Sequence, residues 1–458
     1  MNAVPCPHAN GGDRPRSGDR SPGRDRDDEG RLTRRQMVRA AVAIGGASGL
    51  AACLDREGAS ASTPTERSFP RGPSDLSTLP ERQHAWTDYL VLDRFGNTVL
   101  PQHQAMLLLR YTGPVPPTDR ARERVERAFR TLERAYQRGV GSQSSAVQHE
   151  GLLFAVGYSP AYFDRFDADL PPDIDLPHPG DLLAELGETE ATADDYDAVL
   201  HVGSGYGSIL LAVERALAGE LDEINGVAVE GDLSGLFEVA ERRTGFFGRG
   251  QPAQKYDEEA IPDSAPLSMG FKSGYGDTLP TEDRVTIREG PFAGGTTMQV
   301  SRLEHDLSAW YDRDHGERTR RMFSTEHTSK QVGEVGEDLA SASGVTEAIA
   351  ENAGEYAREE GVVGHGQKVA RARDEDFRQR ILRRDFDITD EPGLHFDSWQ
   401  RGISDFVEVR KAMNGDDLDA DLDEEDDGIL GFIDVTNRAT YLMPPRSLRA
   451  LPGPDPDR

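Results

Sequence analysis

The chain's first long apolar run is QHQAMLLLRY (102–111), broken by Pro114, Pro116 and Pro117, and it reads as a β-strand. The period then changes. In DRARERVERAFRTLERAYQRG (119–139), Ala121, Val125, Ala128, Phe129, Leu132 and Tyr136 fall on one helical face with charges behind them, and Gly139 closes the run. GLLFAVGY (151–158) predicts a second strand. A Pro/Asp-rich loop covers 168–180. DAVLHVG (197–203) predicts a third strand, SILLAVERAL (208–217) a second helix and INGVAVEG (224–231) a fourth strand. The order βαββαβ is that of a ferredoxin-like unit.

The second half repeats this order less plainly. TTMQVSRL (296–303) predicts a strand that runs into a helix at HDLSAWYDRD, and a long insert follows. GLHFDSWQ (393–400) predicts a strand and ISDFVEVRKAM (403–413) a helix. ILGFIDV with ATYLMPP (429–445) predicts a closing hairpin. Two such halves, each a sheet covered by helices, pack as one unit. The expected class is therefore α+β, a duplicated ferredoxin-like fold of the dimeric α/β barrel type, with halves at 86–262 and 263–452.

Composition narrows the partners. Acidic residues outnumber basic ones 82 to 52, for a net charge of -30 in 458 residues. This balance repels nucleic-acid phosphates and disfavours an anionic membrane surface. Together with a mean hydropathy of -0.62, it fits a protein kept soluble in concentrated salt, where charge repulsion is screened over short distances. A halophilic source is the expectation. The two cysteines, Cys6 and Cys53, both precede the folded region, so a metal or cofactor there must use His, Asp, Glu or Tyr.

The N-terminal stretch RLTRRQMVRAAVAIGGASGLAAC resembles a twin-arginine export signal, with Arg34 and Arg35 as its pair. The small-residue run from Ala40 to Ala52 is about half the ~20 apolar residues that a membrane span needs. Leu50-Ala51-Ala52-Cys53 resembles a lipobox, which would make Cys53 the lipidated mature N-terminus. Residues 1–53 thus read as an address for export and anchoring on the outer face of the cell membrane. Residues 54–85, rich in Ser, Thr, Pro, Arg and Glu, read as a disordered tether.

Two motifs are decoys. HVGSGYGS (201–208) imitates a dinucleotide loop, but an antiparallel unit lacks the parallel crossover that the motif needs. Asp423, Glu425, Asp427, Gly428 and Asp434 imitate a calcium loop, but the loop runs into the apolar ILGFI instead of a helix. The eleven histidines form no HxH or HExxH pattern.

The remaining blocks fall in a fixed order: GFKSG, GGTTMQVSRLEHDLSAW, GHGQKVARAR, RQRILRRDFD, then EPGLHFDSWQRGISDFVEVRKAM and LRALP. With NTVLPQHQAMLLLRY, LLFAVGYSPAYFDRF and YDAVLHVGSGYGSILLAVERAL, they make residues 90–452 resemble the dye-decolorizing peroxidase family. The resemblance implies haem b (iron protoporphyrin IX), hydrogen peroxide and a reductant, and is compatible with an oligomer. It implies His365 as the iron ligand, its second ring nitrogen held by an acceptor such as a carboxylate of 416–427. It implies Arg383 as the distal arginine stabilising the anionic oxygen as the O–O bond breaks. Arg384 is the adjacent competitor, and on a strand only one of the two faces the pocket. GFKSG matches the family's GxxDG turn, with Gly270, Phe271 and Gly274 against the porphyrin and Ser273 where the family has its proton-shuttling aspartate. A serine hydroxyl cannot shuttle that proton without a water or a nearby base, and Asp277 is the candidate substitute. Two functions stay in play: a peroxidase, and a haem-handling lipoprotein of iron acquisition with little turnover.

Overall fold

The computed structural model describes residues 68–141, 145–418 and 427–456. Arg34, Arg35 and Cys53 lie outside the described residues, as do 419–426 of the acidic stretch. No helix among the described residues is long and apolar enough to cross a membrane.

The first half runs β1 (His103–Tyr111), α1 (Asp119–Ala135), β2 (Leu153–Tyr158), α2 (Pro179–Leu186), β3 (Ala198–Ser204), α3 (Gly207–Leu217) and β4 (Phe237–Phe246). The second runs β5 (Thr296–His305), α4 (Leu307–Tyr311), α5 (His315–Met322), α6 (His365–Ala370), β6 (Leu382–Arg383), β7 (Phe386–Ile388), β8 (Gly393–Gln400), α7 (Ile403–Asn414) and β9 (Ile433–Met443). Across the first half the strand order is β4-β1-β3-β2, and across the second β7-β8-β5-β9. With the short β6 and β7, which both pair with β8, counted as one strand, both halves read fourth, first, third, second, from opposite ends. The fold is a duplicated ferredoxin-like one, as the element order predicts.

The two half-sheets close on each other. β4 meets β7 at Phe246↔Asp387 and Gly245↔Ile388, and β2 meets β9 at Tyr158↔Leu442. The result is a barrel with helices outside. Alternation along β1 shows both faces covered: Ala105, Leu107 and Leu109 pack under the helices, while Met106 and Leu108 enter the barrel with Trp86, Trp399 and Tyr441. A strand buried on both faces reads as a continuous apolar run, which is why 102–111 is so legible. α1 starts at Thr118, whose side chain accepts a hydrogen bond from Ala121 N, and buries the stripe expected of it.

Four expectations are corrected. Residues 224–231 do not form the fourth strand: they hold only a small pairing of 223–224 with 227–228, separate from the barrel. That strand is β4, FEVAERRTGF, which lacks apolar alternation because its outer residues are largely exposed, and its place is set by pairing along β1. The closing hairpin is one strand, β9, with a bulge at Thr436 in its register with β5. The loop predicted over 168–180 gives way to α2 at Pro179. The tether does not reach 85: Leu76, Gln83 and His84 are buried, and Gln83 Nε2 donates to Val156 O and Pro444 O. Those residues pack because the barrel needs cover where its two halves meet.

Candidate functional site

A cavity of about 250 Å³ lies on the outer face of the second half-sheet. Its floor is β5, β8 and β9, through residues such as Leu303, Leu394, Phe396 and Val435, and α6, α7 and the turn at 267–275 close its sides. The bulge at Thr436 matters here. It shifts the alternation of β9 by one residue, so that Val435 and Arg438 face the same cavity.

His365 opens α6 and borders the cavity. A Cβ at the preceding Gly364 would sit 2.2 Å from Phe323 O, so a glycine lets the helix start there. Gln367 N donates to the same carbonyl (2.9 Å) and Gln367 Nε2 to Ile349 O (3.1 Å). Lys368 Nζ bonds Asp427 Oδ1 at 2.7 Å. Burial, then the nearby charges of Arg383, Lys368 and Arg410, push the imidazole down to about 3, so the ring is neutral at ordinary pH. Its Nδ1 is buried with no hydrogen-bond partner among the described residues, leaving Nε2 as the nitrogen open to the cavity. Of the acidic stretch 416–427, Asp427 is bound by Lys368 and Asp417 by Arg371, and 419–426 lie outside the described residues.

Arg383 and Arg384 divide as strand geometry requires. Arg383 borders the cavity, with Nη1 3.7 Å from Asp385 Oδ2. Arg384 turns inward, over the Trp399 ring at 5.3 Å, donating to Thr87 Oγ1 at 3.1 Å.

In the GFKSG turn, Phe271, Ser273 and Gly274 line the cavity. Gly274 has φ +75 and Gly270 φ +90, left-handed values that favour glycine. Gly270 itself stands off the cavity, against the Tyr311 hydroxyl, so its role is the turn rather than ligand contact. The turn is pinned by Lys272 Nζ on Asp93 (2.6 Å) and by Lys272 N donating to Val335 O (2.7 Å). Asp277 is also off the cavity. Its carboxylate accepts from Ser343 N (2.7 Å) and Ser343 Oγ (2.9 Å), which makes it a clamp on a neighbouring loop, not a substitute for the missing acid.

Asp385 and His305 are among the cavity residues that the sequence reading does not name. Asp385 faces the cavity two residues after Arg383, and the strand period that selects Arg383 would have selected it. His305 lies on the wall at the end of β5, beyond the expected strand end at 303. Its Nδ1 is 3.0 Å from Ser268 Oγ, which donates to Asp387 Oδ1 at 2.8 Å. Its Nε2 is buried without a partner.

Among the described residues no cluster of three His, Cys, Asp or Glu could hold a metal by itself. A largely apolar group carrying its own metal fits the lining better. The walls are mostly apolar, and a neutral imidazole with an open nitrogen stands on one side. The residues present fit a haem, with His365 to hold it.

A family model described as a family of unknown function, DUF7405, matches residues 101–445. No curated protein matches the sequence. Among solved structures, the encapsulated DyP-type peroxidase from Mycobacterium smegmatis covers 80% of this chain and 99% of its own at 13% identity and a TM-score of 0.50. The dye-decolorizing protein from V. cholerae covers 80% and 98% at 18% identity and 0.49. A variant of DypB from Rhodococcus jostii RHA1 in complex with heme covers 77% and 95% at 18% identity and 0.47. The Mycobacterium likeness speaks for the fold, and for the fold alone.

Proposed function

This chain belongs to the DUF7405 family, whose name assigns no activity, and we propose that it is a haem-binding peroxidase of the dye-decolorizing type, oxidising a reductant with hydrogen peroxide. The observation that carries this reading is the convergence of His365, Arg383 and the distant GFKSG turn on one cavity. His365 would hold haem b through Nε2. The bound group would supply a redox-active iron with an open coordination position. Arg383 places a permanent positive charge at the cavity wall, where it orients an anionic oxygen and stabilises negative charge as it develops.

Titration of the purified protein with haem is expected to give a Soret band and a saturating stoichiometry. Arg383→Leu should keep that band and lower peroxide-dependent dye oxidation roughly 10²–10³-fold. Absence of a Soret band would sink the reading. Ser273, with Asp277 committed to Ser343, favours a second reading: a haem-handling protein with little turnover. Wild-type turnover no faster than that of free haem would select it.

The Arg34-Arg35 pair and the segment ending at Cys53 support a further proposal, export by the twin-arginine route and lipid anchoring. Cys53→Ser is expected to move the protein from the membrane fraction to the medium. An unchanged membrane fraction would refute the anchor.

A further inference from the structure

The distal turn carries a serine where a proton carrier is needed, and Asp277 is held elsewhere. Asp385 stands in the right place. It is 6% exposed, and it borders both the main cavity and an adjoining void of about 20 Å³ that Ser273, Gly274 and Arg383 also line. Such a void has room for one water. Asp385 Oδ1 is fixed by Asp397 N, which donates to it at 3.2 Å. Oδ2 accepts no hydrogen bond among the described residues and has Arg383 Nη1 3.7 Å away. One oxygen is thus anchored and the other is free, beside Arg383, two residues earlier in the chain.

We propose that Asp385 is the proton-carrying carboxyl of this cavity, working through Oδ2 with Arg383 as its charged partner, in place of the acid absent at position 273. Its physiological use rests on the peroxidase reading. Only a proton changes hands. A weak acid that enters the cavity, such as hydrogen peroxide, gives its proton to Oδ2 and remains as an anion beside Arg383. The reverse transfer restores both.

The surroundings suit this task. Burial pushes the Asp385 carboxyl up to about 7, the charge of Arg383 and the Asp397 N–H pull it down, and the Asp397 charge pushes it up again. Arg384, behind the strand, adds a smaller downward pull. From β8, Asp397 is itself held by His201 Nδ1 at 2.9 Å. From the GFKSG turn, Lys272 is neutralised by Asp93. A group that gains and loses its proton near working pH is the one suited to general acid–base work.

The first test needs no haem. Infrared titration of the haem-free protein should show a protonated carboxyl that ionises near pH 7 in wild type and is missing in Asp385→Asn. Asparagine keeps an acceptor for Asp397 N, and Asp387→Asn is the reference for another buried carboxyl, pushed up to about 8 by burial. The second test uses the haem-loaded protein and cyanide, which binds as an anion after giving up a proton. Asp385→Asn should slow cyanide association roughly 10²-fold and flatten its pH profile, and Asp385→Glu should restore the profile. A wild-type spectrum with no carboxyl titrating near pH 7, or an identical titration in Asp385→Asn, overturns the proposal even if haem binds well. Failure to bind haem would sink the peroxidase reading and leave the infrared result to decide on Asp385.

Discussion

Replacing His365 with alanine is expected to abolish the Soret band of the haem-loaded protein, while His305→Ala leaves it in place. Both rings line the cavity and both are kept neutral by burial, His365 at about 3 and His305 at about 4. Their availability differs. His305 is committed through Nδ1 to Ser268, and its Nε2 is sealed in protein. His365 has its sealed nitrogen at Nδ1 and offers the other to the cavity. Loss of a mere supporting partner of a metal ligand costs roughly 10–100-fold in affinity, so loss of the ligand itself should exceed that. Exogenous imidazole should return the spectrum to His365→Ala. The reverse pattern, a band lost in His305→Ala alone, would reassign the ligand. The sign of the pH dependence follows from the lowered value. An ordinary histidine protonates near 6.5, whereas His365 stays neutral down to about 3. Ligation should therefore outlast mild acid, for as long as the fold does.

How long the fold lasts depends on Glu133. On α1, its carboxylate accepts from Arg446 Nε and Nη2, both at 2.7 Å, and from Arg449 Nη1 and Nη2 at 2.5 and 3.0 Å. Arg449 also reaches Glu126 at 3.1 Å and lies over the rings of Phe129 and Phe154. These contacts tie residues 446–449 of the second half to the first helix of the first half. Glu133→Ala leaves Arg446 without its carboxylate and the buried Arg449 with Glu126 alone, and a loss of about 3–5 kcal/mol of unfolding free energy is expected in urea titrations. A loss below about 1 kcal/mol would mean that the cluster is dispensable. Burial would raise the Glu133 carboxyl, but its bonds and charge contacts with Arg446 and Arg449 outweigh burial and hold it at about 2, against 4.5 unfolded. The folded state thus binds fewer protons between those values. The contribution is complete above pH 4.5 and is lost as the pH falls towards 2. The Glu133→Ala variant should show a flatter stability profile over that window.

The sequence yielded the elements whose burial is simple and missed those whose burial is shared. β1 and α1 are legible because one rule governs each: two covered faces for β1, one stripe for α1. β4 was invisible because pairing, not apolar alternation, fixes FEVAERRTGF in place. β9 was misread as a hairpin because the bulge at Thr436 breaks its period in the middle. At the site, the order of blocks, which fixes position along the chain, points to His365, Arg383, Ser273, Phe271 and Gly274, and all five border the cavity. That order cannot say which side chains face inward, so Gly270 and Asp277 were placed in the cavity and Asp385 and His305 were overlooked. Asp385 had a signal, two residues from Arg383 on a strand. The commitment of Asp277 to Ser343 had none, because their approach depends on a loop far along the chain.

The two joints of the barrel have one more consequence. Each half-sheet ends in strands whose outer edges face the other half, joined at Tyr158↔Leu442 on one side, where Gln83 also bonds Val156, and at Phe246↔Asp387 and Gly245↔Ile388 on the other. Unpaired strand edges template the addition of further chains. Each half of this protein is therefore the other's chaperone: it masks two adhesive borders that a lone half would offer to its neighbours. Because one chain supplies both halves, each is always present when the other needs it.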